Sequence, residues 1–201
     1  MPKPHPSGIV GIGGSLSSEN LYNSYKRGIF PWYSEGEPIC WYNPDPRFVL
    51  FLKDYKVPKG LNSIKKSGKF NVTVNTVFPQ VIKACKEIER KDQDGTWITK
   101  EMEEAYLDLY SKGHVLCLEV WDKKSLVGGL YGVKLGSRFS GESMFSKVSN
   151  ASKLAFDYLV DYLRAEGGHL IDCQIHSDHL ARIGAKEISR EEFQKIWDSP
   201  T

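Results

Sequence analysis

One helix constrains this chain more than any other feature. It begins at Asn150, carries Leu154, Leu159 and Leu163 on one side, and is closed by Gly167 and Gly168. On either side of it lies a run of strand character, "RFSGESMFS" before and "HLIDCQI" after. Strands joined through a helix can cross over and pair in parallel, whereas strands joined by tight turns must run antiparallel. Upstream, "HVLCLEVWD", "LVGGLYGVKLG" and "RFSGESMFS" follow one another through short turns and read as an antiparallel meander. The strands flanking the helix are therefore the natural parallel pair in an otherwise antiparallel sheet. Parallel neighbours often part at a substrate site.

The elements around this pair complete the reading. From Phe70 come a strand "FNVTVN", a helix around Val81 to Glu89, a loop "KDQDGTWIT" and a helix capped by Thr99 that ends at Gly113. "SREE" at Ser189 to Glu192 is a capping box for a last helix. The class is α+β, a mixed sheet covered by helices, preceded by something smaller. We expect a small N-terminal domain over 1–52, a polar, Lys-rich connecting segment over 53–69, and a larger domain over 70–201. Within the first, "GIVGIGGSL" is a short strand, Ser17 caps a helix carrying Leu21 and Tyr25, and Gly28 closes it. The stretch that follows, with Pro31, Pro38, Pro44 and Pro46, forbids a helix and reads as a looped hairpin leading into the strand "RFVLFL".

Composition narrows the function classes. The 201 residues carry 27 basic and 25 acidic side chains, a net charge of +2, so any nucleic-acid contact is expected to be small and local. Cys40, Cys85, Cys117 and Cys173 stand far apart, which suggests neither a disulfide framework nor a thiolate zinc site and fits a reducing cytoplasm. Met1 to Ser7 lacks the apolar run of a signal peptide, and no later run is long enough to span a bilayer. The expectation is a soluble, cytoplasmic monomer with no membrane partner.

Chemistry could sit at several places. Asp172 and Gln174 alternate along "LIDCQI" and should share a face opposite Ile171 and Cys173. Such an Asp reads equally as a functional carboxylate or as one satisfied by backbone donors, since burying it unpaired costs several kcal/mol. Glu142 poses the same choice on the neighbouring strand, where a water-exposed edge is the plainer alternative. Cys173, His176 and His179 recur at intervals of three, but strand-to-helix placement sends them apart, and no metal is expected. "GIGGSL" lacks the pattern of a phosphate-binding loop, and "SIKKSGK" is explained by a solvated turn. Trp32 and Trp97 both lie in loops, as core plugs or as stacking plates for a flat ligand such as a base.

The runs "GGSL", "YKRGIFPWYSEGEP", "WYNPDPR", "GTWIT", "EVW", "LVGGLYGV", "GESMFS", "NASKLA", "LIDCQI" and "IGAKEI" resemble, in order and spacing, the leucyl/phenylalanyl-tRNA–protein transferase family. The resemblance spans Gly11 to Trp197. It implies an enzyme whose larger domain is GNAT-like and which takes Leu, Phe or also Met from the 3′ end of aminoacyl-tRNA. The acceptors would be proteins with N-terminal Arg or Lys, and the product an N-terminal degradation signal. It implies that Trp32 and Trp97 flank the terminal adenosine and that Asp172 and Gln174 lie at the reacting ester, where we expect Asp172 to fix and polarise Gln174. Glu142 would orient the aminoacyl group, and Leu130, Phe139, Met144 and Ile171 would line the side-chain pocket. Ester aminolysis needs no cofactor and no metal. Ser140 stands where the family often has Cys, and Ser15 where many members have Asp. Two rival readings are a coenzyme A dependent acetyltransferase and a non-catalytic RNA-binding module. The first needs a glycine-rich phosphate loop where this chain has "SKVSNASK". The second leaves Asp172, Gln174 and the apolar pocket without a task.

Overall fold

The computed structural model describes residues 8–88 and 97–199. Two sheets organise them. Strands β1 (Ile9–Ile12), β2 (Phe30–Pro31) and β3 (Cys40–Tyr42) form a small antiparallel sheet in the order β1-β3-β2. Against it lies α1 (Ser18–Lys26), capped by the Ser17 hydroxyl, with Leu21 and Tyr25 buried one turn apart. The expected looped hairpin is the β2–β3 pair.

The second sheet has seven strands in the order β10-β4-β9-β8-β7-β6-β5. They are β4 (Arg47–Phe51), β5 (Phe70–Val74), β6 (Val115–Asp122), β7 (Ser125–Leu135), β8 (Arg138–Ser146), β9 (Leu170–Gln174) and β10 (Lys186–Ile188). The meander β6–β7–β8 is antiparallel, and β8 and β9 are the parallel pair, joined by α5 (Ala151–Ala165). The helix ends as its glycines require. Gly167 takes a left-handed φ of 76°, and a Cβ on Gly168 would meet the Ser137 carbonyl at 2.6 Å.

Strand β4, "RFVLF", sits between β10 and β9, inside the large sheet. Residues 47–51 of the stretch read as the N-terminal domain thus belong to the larger sheet, and the small sheet ends at Tyr42. The connecting segment is not loose either. Helix α2 (Leu61–Lys66) buries Leu61, and Tyr55 and Lys65 both reach the buried Asp157 of α5, at 3.0 and 2.6 Å.

Helices cover both faces of the sheet. Along β6, Val115 and Cys117 point into a core shared with α1, α3 (Phe78–Glu87) and α4 (Lys100–Ser111), while Leu116, Leu118 and Val120 point into one shared with α5. Close approach of α5 depends on Gly128, where a Cβ would lie 2.5 Å from that of Ala151. Two short helices, α6 (Asp178–Ala181) and α7 (Arg190–Trp197), complete the chain, the latter capped by Ser189. Residues 91–96 of "KDQDGTWIT", Glu89 of the expected helix and Met1 to Ser7 lie outside the described residues. No helix among the described residues is long and apolar enough to cross a membrane.

Candidate active site

Strands β8 and β9 pair only at Phe139 with Ile171 and Ser140 with Asp172. Beyond that point β9 runs only to Gln174 while β8 continues to Ser146, and a cavity of about 450 Å³ opens between them. Trp32, Trp97, Leu130, Phe139, Glu142, Met144, Ile171, Asp172 and Gln174 all lie on its wall.

The apolar end is built from cross-strand neighbours. Leu130 of β7 faces Met144 of β8, and Phe139 of β8 faces Ile171 of β9. Phe156 and Leu159 of α5 close the floor, and no charged side chain belongs to this end. The mouth is aromatic. Trp32 is fixed by its backbone N–H on the Cys40 carbonyl at 2.9 Å and leans on Tyr42, with ring centres 5.8 Å apart. Only 8 % of Trp32 is exposed, so it is at once part of the core and part of the cavity wall. The Tyr33 hydroxyl donates to Glu101 at 2.9 Å, tying the aromatic loop to the start of α4, just beyond the half-buried Trp97.

Between mouth and floor lies a polar cluster. Asp172 is fully buried and takes four hydrogen bonds: from Arg47 Nε and Nη2 at 2.7 and 2.6 Å, from the Ser140 hydroxyl at 2.9 Å, and from the Gln174 backbone N–H at 3.0 Å. Arg47 is equally buried, its guanidinium held between Phe30 and Phe193 with ring centres 5.0 and 4.4 Å away. A fork of two parallel donors onto one carboxylate is the strongest way to compensate a buried charge. Asp172 therefore grips the main chain of Gln174 and not its side chain. Gln174 has a left-handed φ of 66°, and the Ile175 N–H returns to the Cys173 carbonyl at 2.8 Å, closing a γ-turn. Such a conformation costs a non-glycine residue about 1–3 kcal/mol and persists where its surroundings enforce it.

The Gln174 amide nitrogen donates to Glu142 Oε1 at 2.7 Å and to Ser140 Oγ at 3.3 Å. Its carbonyl oxygen accepts nothing from the described residues and is left to the cavity. Glu142 also accepts from the Tyr106 hydroxyl at 2.7 Å, and Tyr106 meets Tyr25 at 2.5 Å. Burial pushes the Glu142 carboxyl up to about 7, opposed by the bonds from the two tyrosines and Gln174 and reinforced by the negative charge of Asp172. Tyr25 and Tyr106 are held well above the usual phenol range, first by burial and then by that carboxylate.

This arrangement offers hydrogen bonds and not a protein nucleophile. Burial and the neighbouring Asp172 raise the Cys173 thiol far from thiolate formation, and the Ser140 hydroxyl is fully buried and engaged on Asp172. Among the described residues no three His, Cys, Asp or Glu side chains converge as metal ligands would. His176, His179 and Leu180 line the far wall. The sequence reading missed Arg47, Ser140, Tyr25 and Tyr106 as members of the site. Arg47 heads an apolar strand, a faint signal, while both tyrosines fall on helix faces that read as ordinary core.

Comparison with known proteins gives a consistent result. Residues 49–198 match the family model described as leucyl/phenylalanyl-tRNA protein transferase, and residues 14–45 match that of its N-terminal domain. A protein of Flavobacterium johnsoniae named leucyl/phenylalanyl-tRNA–protein transferase is 51 % identical over 192 residues, covering 96 % of this chain and 91 % of its own. A namesake from Teredinibacter turnerae is 48 % identical over 200 residues, covering 97 % and 77 %.

Proposed function

The chain belongs to the leucyl/phenylalanyl-tRNA–protein transferase family and is a transferase, and on that premise we propose how its cavity performs the transfer. The donor is the 3′ end of a tRNA charged with Leu, Phe or Met. The acceptor is a protein in the cytoplasm whose N-terminus is Arg or Lys, which gains an N-terminal degradation signal. The terminal adenosine stacks at the mouth against Trp32 and Trp97, and the amino-acid side chain descends between Leu130, Phe139, Met144 and Ile171. The ester then lies beside Glu142 and Gln174. The observation that carries this reading is the junction in one cavity of an aromatic mouth, an uncharged apolar floor and an amide whose oxygen accepts nothing from the described residues.

The substrate is already activated. The acceptor amine, with a usual pKa of about 7.7–8.0, is partly neutral at cell pH. Its nitrogen attacks the ester carbonyl carbon while one N–H donates to Gln174 Oε1, which orients the lone pair. The C–N bond forms and the bond to the 3′ oxygen breaks. The proton lost by nitrogen reaches the leaving oxygen through water or the neighbouring ribose hydroxyl. Gln174 is a hydrogen-bond acceptor throughout and never takes the proton. Placement does most of the work, and an effective molarity can contribute several kcal/mol, up to about 7–11 in ideal cases. Asp172 and Arg47 act beneath, holding the γ-turn that presents Gln174.

The test is transfer of labelled amino acid from charged tRNA to an Arg-starting peptide, without ATP or acetyl-coenzyme A. Leu-tRNA and Phe-tRNA should both react. Ile-tRNA should react about 10- to 200-fold more slowly, the range for one misplaced methyl, because branching at Cβ crowds the ester. Absence of transfer would refute the activity. Equal rates for Leu and Ile would refute the assignment of the pocket.

A further inference from the structure

The amide of Gln174 has two ends, and only one of them can accept a hydrogen bond from an amine. Three contacts decide which end faces the cavity. Ser140 commits its hydroxyl hydrogen to Asp172 at 2.9 Å, so its oxygen offers only lone pairs to the amide 3.3 Å away. Glu142, as a carboxylate, likewise offers only lone pairs at 2.7 Å. Both demand the NH2 end, and the carbonyl oxygen is turned outward. The second oxygen of Glu142 accepts from Tyr106, which leaves the Tyr106 oxygen to accept from Tyr25. Tyr106 and the Gln174 amide therefore both donate to Glu142, with Tyr25 behind Tyr106, along a chain from α1 through α4 to β8 and β9.

We propose that Tyr25 and Tyr106 are positioning residues for the transfer: by holding Glu142 as a carboxylate, they keep the carbonyl oxygen of Gln174 turned toward the attacking amine. The inference rests on the reading of Gln174 given above. The competing arrangement is simple. A protonated Glu142 carries a hydroxyl that can donate to the amide oxygen, so that only the longer 3.3 Å contact with Ser140 still opposes a half-turn of the amide that presents NH2 to the cavity. An amine cannot be oriented by that end. Around Glu142 stand Tyr25 of α1, Tyr106 of α4, Tyr131 of β7 packed edge-on against Tyr106, and Asp172 of β9, whose charge is paired with Arg47 of β4. Burial already brings the carboxyl up to about 7, so loss of a phenol donor shifts it further toward the protonated form at neutral pH.

Tyr25→Phe and Tyr106→Phe keep the ring and remove only the hydroxyl. Both are compared with the unsubstituted protein in single-turnover transfer from Phe-tRNA to an Arg-starting peptide, from about pH 5.5 to about pH 9. Ionisation of the acceptor amine is common to all three. In Tyr106→Phe the acid limb should move up by about one pH unit, the scale of a lost hydrogen bond to a charged group, with a move in the same direction in Tyr25→Phe. The KM for charged tRNA should stay unchanged and the rate should recover at alkaline pH. An unmoved limb in both variants, with unchanged thermal melts, overturns the proposal. A loss uniform across pH also overturns it, since lost packing has no such profile. Wild-type transfer by Gln174→Ala would overturn the reading of Gln174 and this inference together. Loss of transfer in Gln174→Ala beside unmoved limbs in the tyrosine variants overturns this inference alone.

Discussion

Asp172→Asn should lower the transfer rate by about a hundredfold or more and destabilise the fold by about 3 kcal/mol. Both effects have one source. Asp172 neutralises a guanidinium that is itself fully buried between two phenyl rings. Asparagine has nearly the same shape but turns an NH2 group toward an Arg47 donor in either orientation, together with the Gln174 N–H or the Ser140 hydroxyl. Removing one partner of a buried pair leaves the other charged and uncompensated, at a cost of about 3–5 kcal/mol. The lower end applies because the remaining amide oxygen still accepts from Arg47 and from one further donor. For a chain of this length the melting temperature should fall by roughly 6–12 °C. The clamp on the γ-turn weakens as well, since the backbone N–H of Gln174 shares Oδ1 of Asp172 with Arg47. At a temperature where both proteins are folded, binding of charged tRNA should change little while the transfer step slows. A melt within about 2 °C of the unsubstituted protein, together with full transfer, would remove Asp172 from the account.

Glu142→Gln should do the opposite to stability. The folded carboxyl titrates at about 7 against a usual value near 4.5. Below about pH 4.5 both folded and unfolded chains hold the proton, and the site costs nothing. As pH rises toward 7 the unfolded chain ionises first, so the folded state loses stability, and above 7 the loss is complete. It amounts to about 3 kcal/mol. Glutamine stays neutral throughout and escapes it. The variant should therefore melt several degrees higher than the unsubstituted protein at pH 8, and the gap should close toward pH 5. Transfer should fall in the same variant, because a glutamine at 142 can satisfy either orientation of the Gln174 amide. A gain in stability coupled to a loss of function is what a partly buried active-site charge produces. Equal melts at both pH values would mean that the carboxyl is not displaced as described.

Much of this site was legible in the sequence because its parts lie on elements with strong local signals. The helix between Asn150 and Gly168 imposed the β8–β9 pair, and that pair opens where Glu142, Asp172 and Gln174 meet. The proline-rich stretch held Trp32 at the mouth. What was not legible is long-range. Strand β4 looks the same in sequence whether it closes a small domain or enters the large sheet, and only its pairing with β9 and β10 decides. The buried state of Arg47 depends on Asp172, 125 residues away, and the partnership of Tyr25 with Tyr106 spans 81 residues. Simple alternation also misplaced the link between Asp172 and Gln174. They do line one cavity, yet the positive φ of Gln174 breaks the pleat, so the aspartate holds the backbone and Glu142 holds the side chain.

The measurement that bears most directly on the central claim is single-turnover transfer by Gln174→Ala with Phe-tRNA bound in advance and an Arg-starting peptide added in excess. Alanine leaves the backbone N–H on Asp172 and the apolar floor in place, and removes the amide, both the oxygen that would orient the amine and the NH2 that donates to Glu142 and Ser140. The affinity for Phe-tRNA should match that of the unsubstituted protein while the bond-forming step slows by about a hundredfold. An unchanged rate in a folded, tRNA-binding Gln174→Ala protein would contradict the assignment of the amide oxygen as the acceptor that aims the amine.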